Sequence, residues 1–242
     1  MASLKGSVAI ITGASRGVGR ETAIKLAEEG CHVVLAARTE SELNQIADKA
    51  SSYGVTALPV VTDVSKEEDV KKLVSETLEQ FGKIDILINN AGIGKYGTID
   101  EISVDDYDAM MNTNMKSTFL CSKFVLPEMK KQEQGHILNV ASVAGLRGLP
   151  NEAVYCATKH AQRGFAQSLD YEARPYGVKV SCISPGGINT DFAIGSGREK
   201  GDPALENFLK PEQVADVIIH TLKQPEDARI IEVTMRPMSE PL

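Results

Sequence analysis

The chain has 242 residues, 42% of them hydrophobic and 24% charged, enough to bury the core of one α/β domain. A net charge of −7 at pH 7 and a pI near 5.2 argue against a nucleic-acid surface, which needs a basic stripe. No apolar run approaches the roughly 18 residues that a membrane-spanning helix requires, and residues 1–6 lack the core of a signal peptide.

Strand-like and helix-like segments alternate along the whole chain. Val8-Ala9-Ile10-Ile11 is short, apolar and β-branched, which predicts a buried parallel strand over 7–12. It runs into Thr12-Gly13-Ala14-Ser15-Arg16-Gly17-Val18-Gly19, and helical spacing takes over across 18–29. A glycine-rich turn between strand and helix suits a phosphate, because backbone comes close and the helix start offers free N–H groups. A tight βα turn with no ligand would use the same glycines. The second strand, 32–37, ends at Ala37-Arg38, where an NAD site usually carries an acid for the adenosine ribose. A 40–52 helix, a 56–61 strand ending near Asp63-Val64, and a 66–81 helix follow. Asp63 suits either a binding role or a turn leading to Ser65.

Strand 84–89 leads into Asn89-Asn90-Ala91-Gly92, and one long helix is expected over 103–131. It carries Asn114 at helical spacing from Tyr107, Met110, Met111 and Thr118. Strand 135–140 precedes Ser142, and helix 152–174 carries Tyr155 and Lys159. Strand 178–184 leads into Pro185-Gly186. A glycine-containing stretch over 191–210, helix 211–223 opened by Pro211, and strand 229–234 complete the pattern. Thr39-x-x-Glu42, Ser65-x-x-Glu68 and Ser103-x-x-Asp106 read as capping boxes. The alternation predicts a parallel, doubly wound sheet in a single domain. The polar and glycine motifs fall at the C-terminal ends of the strands, where such sheets bind ligands.

The chemistry concentrates on Ser142, Tyr155 and Lys159. Tyr155 and Lys159 are four residues apart and share a helix face. A phenol titrates near ~10 in water, and a neighbouring ammonium lowers that value. A serine hydroxyl beside it can hold the oxygen on which charge develops. A bare tyrosine and lysine on a helix surface are the alternative. Cys31, Cys121, Cys156 and Cys182 lie far apart and read as reduced thiols of a cytoplasmic protein, and neither they nor the four histidines predict a metal site.

In this order the motifs resemble the short-chain dehydrogenase/reductase family: Thr12-Gly13-x3-Gly17-x-Gly19, Asp63-Val64, Asn89-Asn90-Ala91-Gly92, Asn114, Ser142, Tyr155-x3-Lys159 and Pro185-Gly186-x-Ile188-x-Thr190. Ala141 and Cys156 depart from the family's more usual residues without removing a functional group. The resemblance implies a Rossmann fold of seven strands in the order 3-2-1-4-5-6-7. Residues 1–140 would be mainly cofactor-binding, with the catalytic residues and the substrate loop 191–210 in 141–242.

It also implies roles by position. Tyr155 exchanges the proton, Ser142 holds the substrate oxygen, and Lys159 holds the nicotinamide ribose and lowers the Tyr155 pKa. Asn114 positions a water linked to the lysine. Gly13, Ser15, Gly17, Val18 and Gly19 cradle the pyrophosphate, and Asp63 and Val64 flank the adenine. Asn90, Ala91, Gly92, Pro185, Gly186, Ile188 and Thr190 complete the cofactor site. Arg16 and Arg38, with Ala37 where an NAD site usually has an acid, predict NADP(H) through forked bonds to a 2′-phosphate.

The function expected is hydride transfer between NADP(H) and a carbonyl or secondary alcohol. A 3-oxoacyl thioester reductase is one specialisation, although Ile231-Glu232-Val233-Thr234-Met235-Arg236-Pro237 departs from the usual ending of that group. The alternative is an NADP(H)-binding sensor without turnover. The partner expected is a small-molecule substrate, with neither nucleic acid nor membrane. Surplus apolar residues on the 103–131 and 152–174 helices predict a homodimer or homotetramer.

Overall fold

Every residue of β1 (Val8–Thr12) is buried, because this strand lies in the interior of the sheet with helices over both faces. The computed structural model describes residues 3–240. Seven parallel strands stand in the order β3-β2-β1-β4-β5-β6-β7. The others are β2 (His32–Ala37), β3 (Ala57–Val61), β4 (Ile86–Asn89), β5 (Gly135–Val140), β6 (Val178–Pro185) and β7 (Glu232–Met235). The order reverses between β1 and β4, which opens a crevice at their C-terminal ends.

Each face of the sheet has its own core. Alternate strand residues such as Ile11, Leu35, Ile88 and Leu138 pack with α1 (Gly17–Glu28), α2 (Glu40–Ser51) and α7 (Pro211–Leu222). The intervening residues, among them Ile10, Val34, Leu87 and Ile137, pack with α3 (Glu67–Phe81), α5 (Ser117–Gln132) and α6 (Ala153–Ala173). This two-sided burial explains why the strands read as continuous apolar runs rather than alternating ones.

The fold matches the sequence expectation in order and topology and departs from it in detail. The expected 103–131 helix is α4 (Val104–Met110), a π turn (Met111–Lys116) and α5. Polar Asn112, Thr113 and Asn114 occupy that turn, which widens the backbone spiral at a candidate site residue. None of the three capping boxes closes in full, and only Ser103 caps its helix: its hydroxyl accepts from the Asp106 amide at 3.0 Å and donates to the Asp106 carboxylate at 2.8 Å. Thr39 caps nothing with its side chain. The Ser65 hydroxyl instead donates to Asp63 at 2.6 Å, and α3 starts after Lys66. A local aspartate turn competes successfully for that serine. The last strand begins at Glu232 rather than 229, because Arg229 turns its side chain onto Asp170 in a forked pair at 2.8 Å.

Candidate active site

At the C-terminal ends of β1 and β4 two loops are tied together by hydrogen bonds. The Thr12 hydroxyl accepts from the amides of Asn90 and Ala91, each at 3.0 Å. The Asn90 side chain donates back to the carbonyls of Thr12 at 2.9 Å and Gly13 at 3.3 Å. Gly19 is packed so closely that a Cβ there would lie 2.2 Å from the Gly13 carbonyl oxygen and 2.6 Å from the Asn90 amide nitrogen. The helix α1 that follows has no side-chain cap and no acid in its first turn. Its free amides and positive dipole face open space, the arrangement that holds a phosphate.

Those loops line a cleft of about 1150 Å³, roomy enough for a dinucleotide together with a small substrate. Gly13, Ser15, Arg16, Gly17 and Val18 form its floor. Arg38, Asp63 and Val64 close one end, where Asp63 also accepts from the Ser65 amide at 3.1 Å. Burial alone would raise the Asp63 carboxyl, but the Ser65 bonds, Lys66 and Arg38 together hold it below the usual range. Asn90, Ala91, Gly92, Ser142, Tyr155 and Lys159 line the middle. Pro185, Gly186, Ile188 and Thr190 line the far side, where the Thr190 side chain reaches Gly17. Of the residues singled out from the sequence, Gly19 and Asn114 do not line the cleft; they pack behind it.

Ser142 precedes a short 3-10 turn (Val143–Gly145) and accepts from the Ala144 amide at 3.1 Å. That bond occupies a lone pair, and the hydroxyl also pairs with the Tyr155 phenol. Gly145 lets this turn rest on α6, since a Cβ there would lie 2.7 Å from the Lys159 carbonyl. Tyr155 is buried against Tyr96, whose ring stands edge-on at 5.6 Å, and Phe192 at 5.9 Å. Burial, then the Tyr96 phenol, drive the Tyr155 hydroxyl well above the ordinary phenol range, against a smaller pull from Ser142. The sequence expectation was the opposite direction. Loss of water dominates here, and the phenol stays protonated at neutral pH.

The Lys159 Nζ lies 5.6 Å from the Tyr155 ring centroid and donates to the Val140 carbonyl at 3.1 Å. Burial brings its ammonium down to about 8. Asn114 sits in the π turn, fully buried. Its side chain pairs with the Ile93 backbone at 2.8 and 2.9 Å and donates to Thr158 at 3.0 Å, so it holds the loop after β4 against α6. Its backbone carbonyl accepts from Gln162 Nε2 at 2.9 Å and the Thr118 hydroxyl at 2.8 Å. Gln162 was missed from the sequence. A fully polar amide on the apolar face of the Tyr155 helix was the available signal.

Sequence reading also missed Tyr96, Glu152 and Arg198, which line the cleft beyond Tyr155 with Phe192. Four cysteines are free and buried. No cluster of three or more metal-ligating side chains and no helix long and apolar enough to cross a membrane occurs among the described residues.

Comparison with known proteins places these features in context. The family model of the short chain dehydrogenases matches residues 7–201. An uncharacterized oxidoreductase of Staphylococcus aureus (strain MRSA252) is 35% identical over 238 residues, 98% of this chain and 100% of the relative. One from Staphylococcus epidermidis is 37% identical over the same shares. Among solved structures, an alcohol dehydrogenase of Thermococcus sibiricus complexed with 5-hydroxy-NADP superposes with a TM-score of 0.90 at 32% identity, covering 98% of each chain. An NAD+-bound xylitol dehydrogenase gives 0.87 at 28%, covering 97% of this chain and 99% of its own.

Proposed function

The chain belongs to the short-chain dehydrogenase family, and on that premise we propose that it is an NADP(H)-dependent oxidoreductase acting on a carbonyl or secondary alcohol. One observation carries the reading. An uncapped helix start, the buried phenol of Tyr155 and the Ser142 hydroxyl paired with it open into the same cleft.

The cofactor, when bound, supplies the hydride chemistry; the protein supplies position and charge. Gly13, Ser15, Gly17, Val18 and the α1 amides hold the pyrophosphate. Asp63 and Val64 bracket the adenine. Asn90, Ala91 and Gly92 line the ribose side, and Pro185, Gly186, Ile188 and Thr190 hold the carboxamide. Tyr155 gives its proton to the substrate oxygen, and Ser142 donates a hydrogen bond to the same atom. Lys159 holds the ribose, and its charge stabilises the phenolate left after transfer. Asn114 and Gln162 fix the helix behind them. The alternative of a sensor without turnover has no use for a protonated phenol paired with a serine hydroxyl.

NADP(H) rather than NAD(H) is supported by this chain's own residues, since the similar structures carry either cofactor. Arg16 and Arg38 are exposed at the cleft rim, and Ala37 stands where an acid would favour NAD. We assign the protein to the cytoplasm as a homodimer or homotetramer. Ala153, Ala157 and Gly164 are exposed along α6, and Phe119 is exposed on α5, a surface that lets two helix pairs approach closely.

The test is oxidation of NADPH and NADH by purified protein against ketones, aldehydes, diketones and 3-oxoacyl thioesters. Tyr155→Phe should lower turnover by roughly 100-fold or more while NADPH affinity holds, because only the proton donor is lost. Affinity falling in step with turnover would make Tyr155 structural. No consumption of either cofactor would favour the sensor.

A further inference from the structure

Glu152 stands three residues before Tyr155, immediately ahead of α6. A residue there usually turns a short side-chain oxygen back onto the first helix amides. Glu152 does not, for no side-chain bond caps this helix. Its side chain is half-buried and lines the cleft beside Tyr155. Its charge reaches the phenols of both Tyr155 and Tyr96. Burial raises its carboxyl; Arg198 pulls it back and Glu240 adds to the rise. No hydrogen bond or ion pair joins the carboxylate to another side chain among the described residues.

Arg198 lines the same cleft from the loop over 191–210. It donates to the Ile188 carbonyl at 3.3 Å and lies over the Phe208 ring at 5.4 Å. Its charge also reaches Tyr96 and Tyr155. Between these two charges the wall is aromatic, formed by Tyr96 and Phe192 around the Tyr155 ring.

A half-buried carboxylate without a donor is satisfied by whatever enters the cleft. A carboxylate only accepts and a guanidinium only donates. A group that suits both is one that donates and accepts without net charge, and a hydroxyl is the smallest that can stand beside a reacting carbonyl. A substrate carboxylate or phosphate would meet Glu152 and Glu240, and an ammonium would meet Arg198. Resting on the oxidoreductase reading above, we infer that the substrate is a small uncharged α-hydroxy ketone, or the vicinal diol in the reverse direction, whose hydroxyl donates to Glu152 while its carbonyl oxygen faces Tyr155 and Ser142. In reduction the carbonyl carbon gains a hydride from the reduced nicotinamide and the oxygen gains the Tyr155 proton, giving a diol and the oxidised cofactor.

Hydroxyacetone and butanone differ by a hydroxyl in place of a methyl and provide the test. Wild type should favour hydroxyacetone in kcat/KM by about tenfold or more, because butanone leaves Glu152 without a donor. Glu152→Leu should bring that ratio to near one, and Glu152→Gln should leave it between. NADPH titration and a melting curve check that each variant folds; if the leucine variant does not, the glutamine variant's ratio decides. Equal use of the two ketones by wild type, or an unchanged ratio in the variants, overturns the inference. So does a preference for pyruvate, which would mean that Arg198 alone selects, or for aminoacetone, which would make Glu152 a counter-ion. Those results all leave the oxidoreductase reading standing. Failure of every carbonyl to oxidise either cofactor would overturn that reading and this inference with it.

Discussion

The two walls of the cleft are built from different materials. The wall under β1 and β4 is backbone: glycines, free amides, and two loops locked by Thr12 and Asn90. The wall beyond Tyr155 is side chain: Tyr96, Glu152, Phe192 and Arg198, two of them on the loop over 191–210. Backbone offers the same donors whatever the substrate, so the first wall suits a shared cofactor. Side chains differ from chain to chain, so the second suits discrimination. Substitutions in the first should therefore weaken every reaction alike, whereas those in the second should reorder substrates.

The largest effect is expected at Gly19. A methyl there meets the Gly13 carbonyl oxygen at 2.2 Å, which backbone cannot avoid without shifting the phosphate loop. Gly19→Ala should weaken NADPH binding by roughly 100-fold, equally for all substrates. A dissociation constant within threefold of wild type, by fluorescence titration, would show that this wall yields.

Next comes Arg38→Asp, which removes a phosphate partner and adds a like charge. Each charge-assisted bond contributes about 1.5–3 kcal/mol, so the NADPH-to-NADH ratio of kcat/KM should fall at least about tenfold. A ratio that moves less than twofold would remove Arg38 from cofactor selection.

Lys159 belongs to both walls, and pH separates its roles. With its ammonium at about 8, reduction should decline above that pH, by about tenfold per unit. The stability effect runs the other way. The folded value lies below the unfolded 10.5, so between about 8 and 10.5 the unfolded chain binds more protons and stability rises with pH. Lys159→Met should remove both dependences. A rate profile unchanged by that substitution would deny the lysine a role in the proton step.

The smallest effect is expected at Phe192, which shields one side of the Tyr155 ring. Phe192→Ala should raise KM by about threefold to tenfold for apolar ketones and less for hydroxylated ones, with NADPH affinity held. A uniform loss across substrates and cofactor would erase the distinction between the walls.

Much of the fold was legible because its signals are local. Val8-Ala9-Ile10-Ile11 reads as a buried strand from four residues, and the glycine spacing after it fixes a turn without reference to anything distant. The glycine-loop residues that gather on the floor of the cleft were readable for the same reason. The break in the 103–131 helix was not, because Asn114 takes its π turn from partners at Ile93, Thr158 and Gln162, far away in sequence. The caps at Thr39 and Ser65 failed because a turn at Asp63 competed for one hydroxyl and nothing recruited the other.

By itself, then, the sequence determined the alternation of strands and helices, the backbone wall and the alignment of Tyr155 with Lys159, all consequences of periodicity and glycine placement along short stretches of chain; the strand order came from the family resemblance. Tertiary structure alone decided the electrostatics and the second wall. Burial, not the neighbouring cation, sets the Tyr155 phenol, and burial also lowers Lys159. Only folding brings Arg198 to Glu152 across 46 residues of chain (198 − 152). Desolvation and long-range charge depend on what surrounds a group in space, and no spacing along the chain encodes that directly.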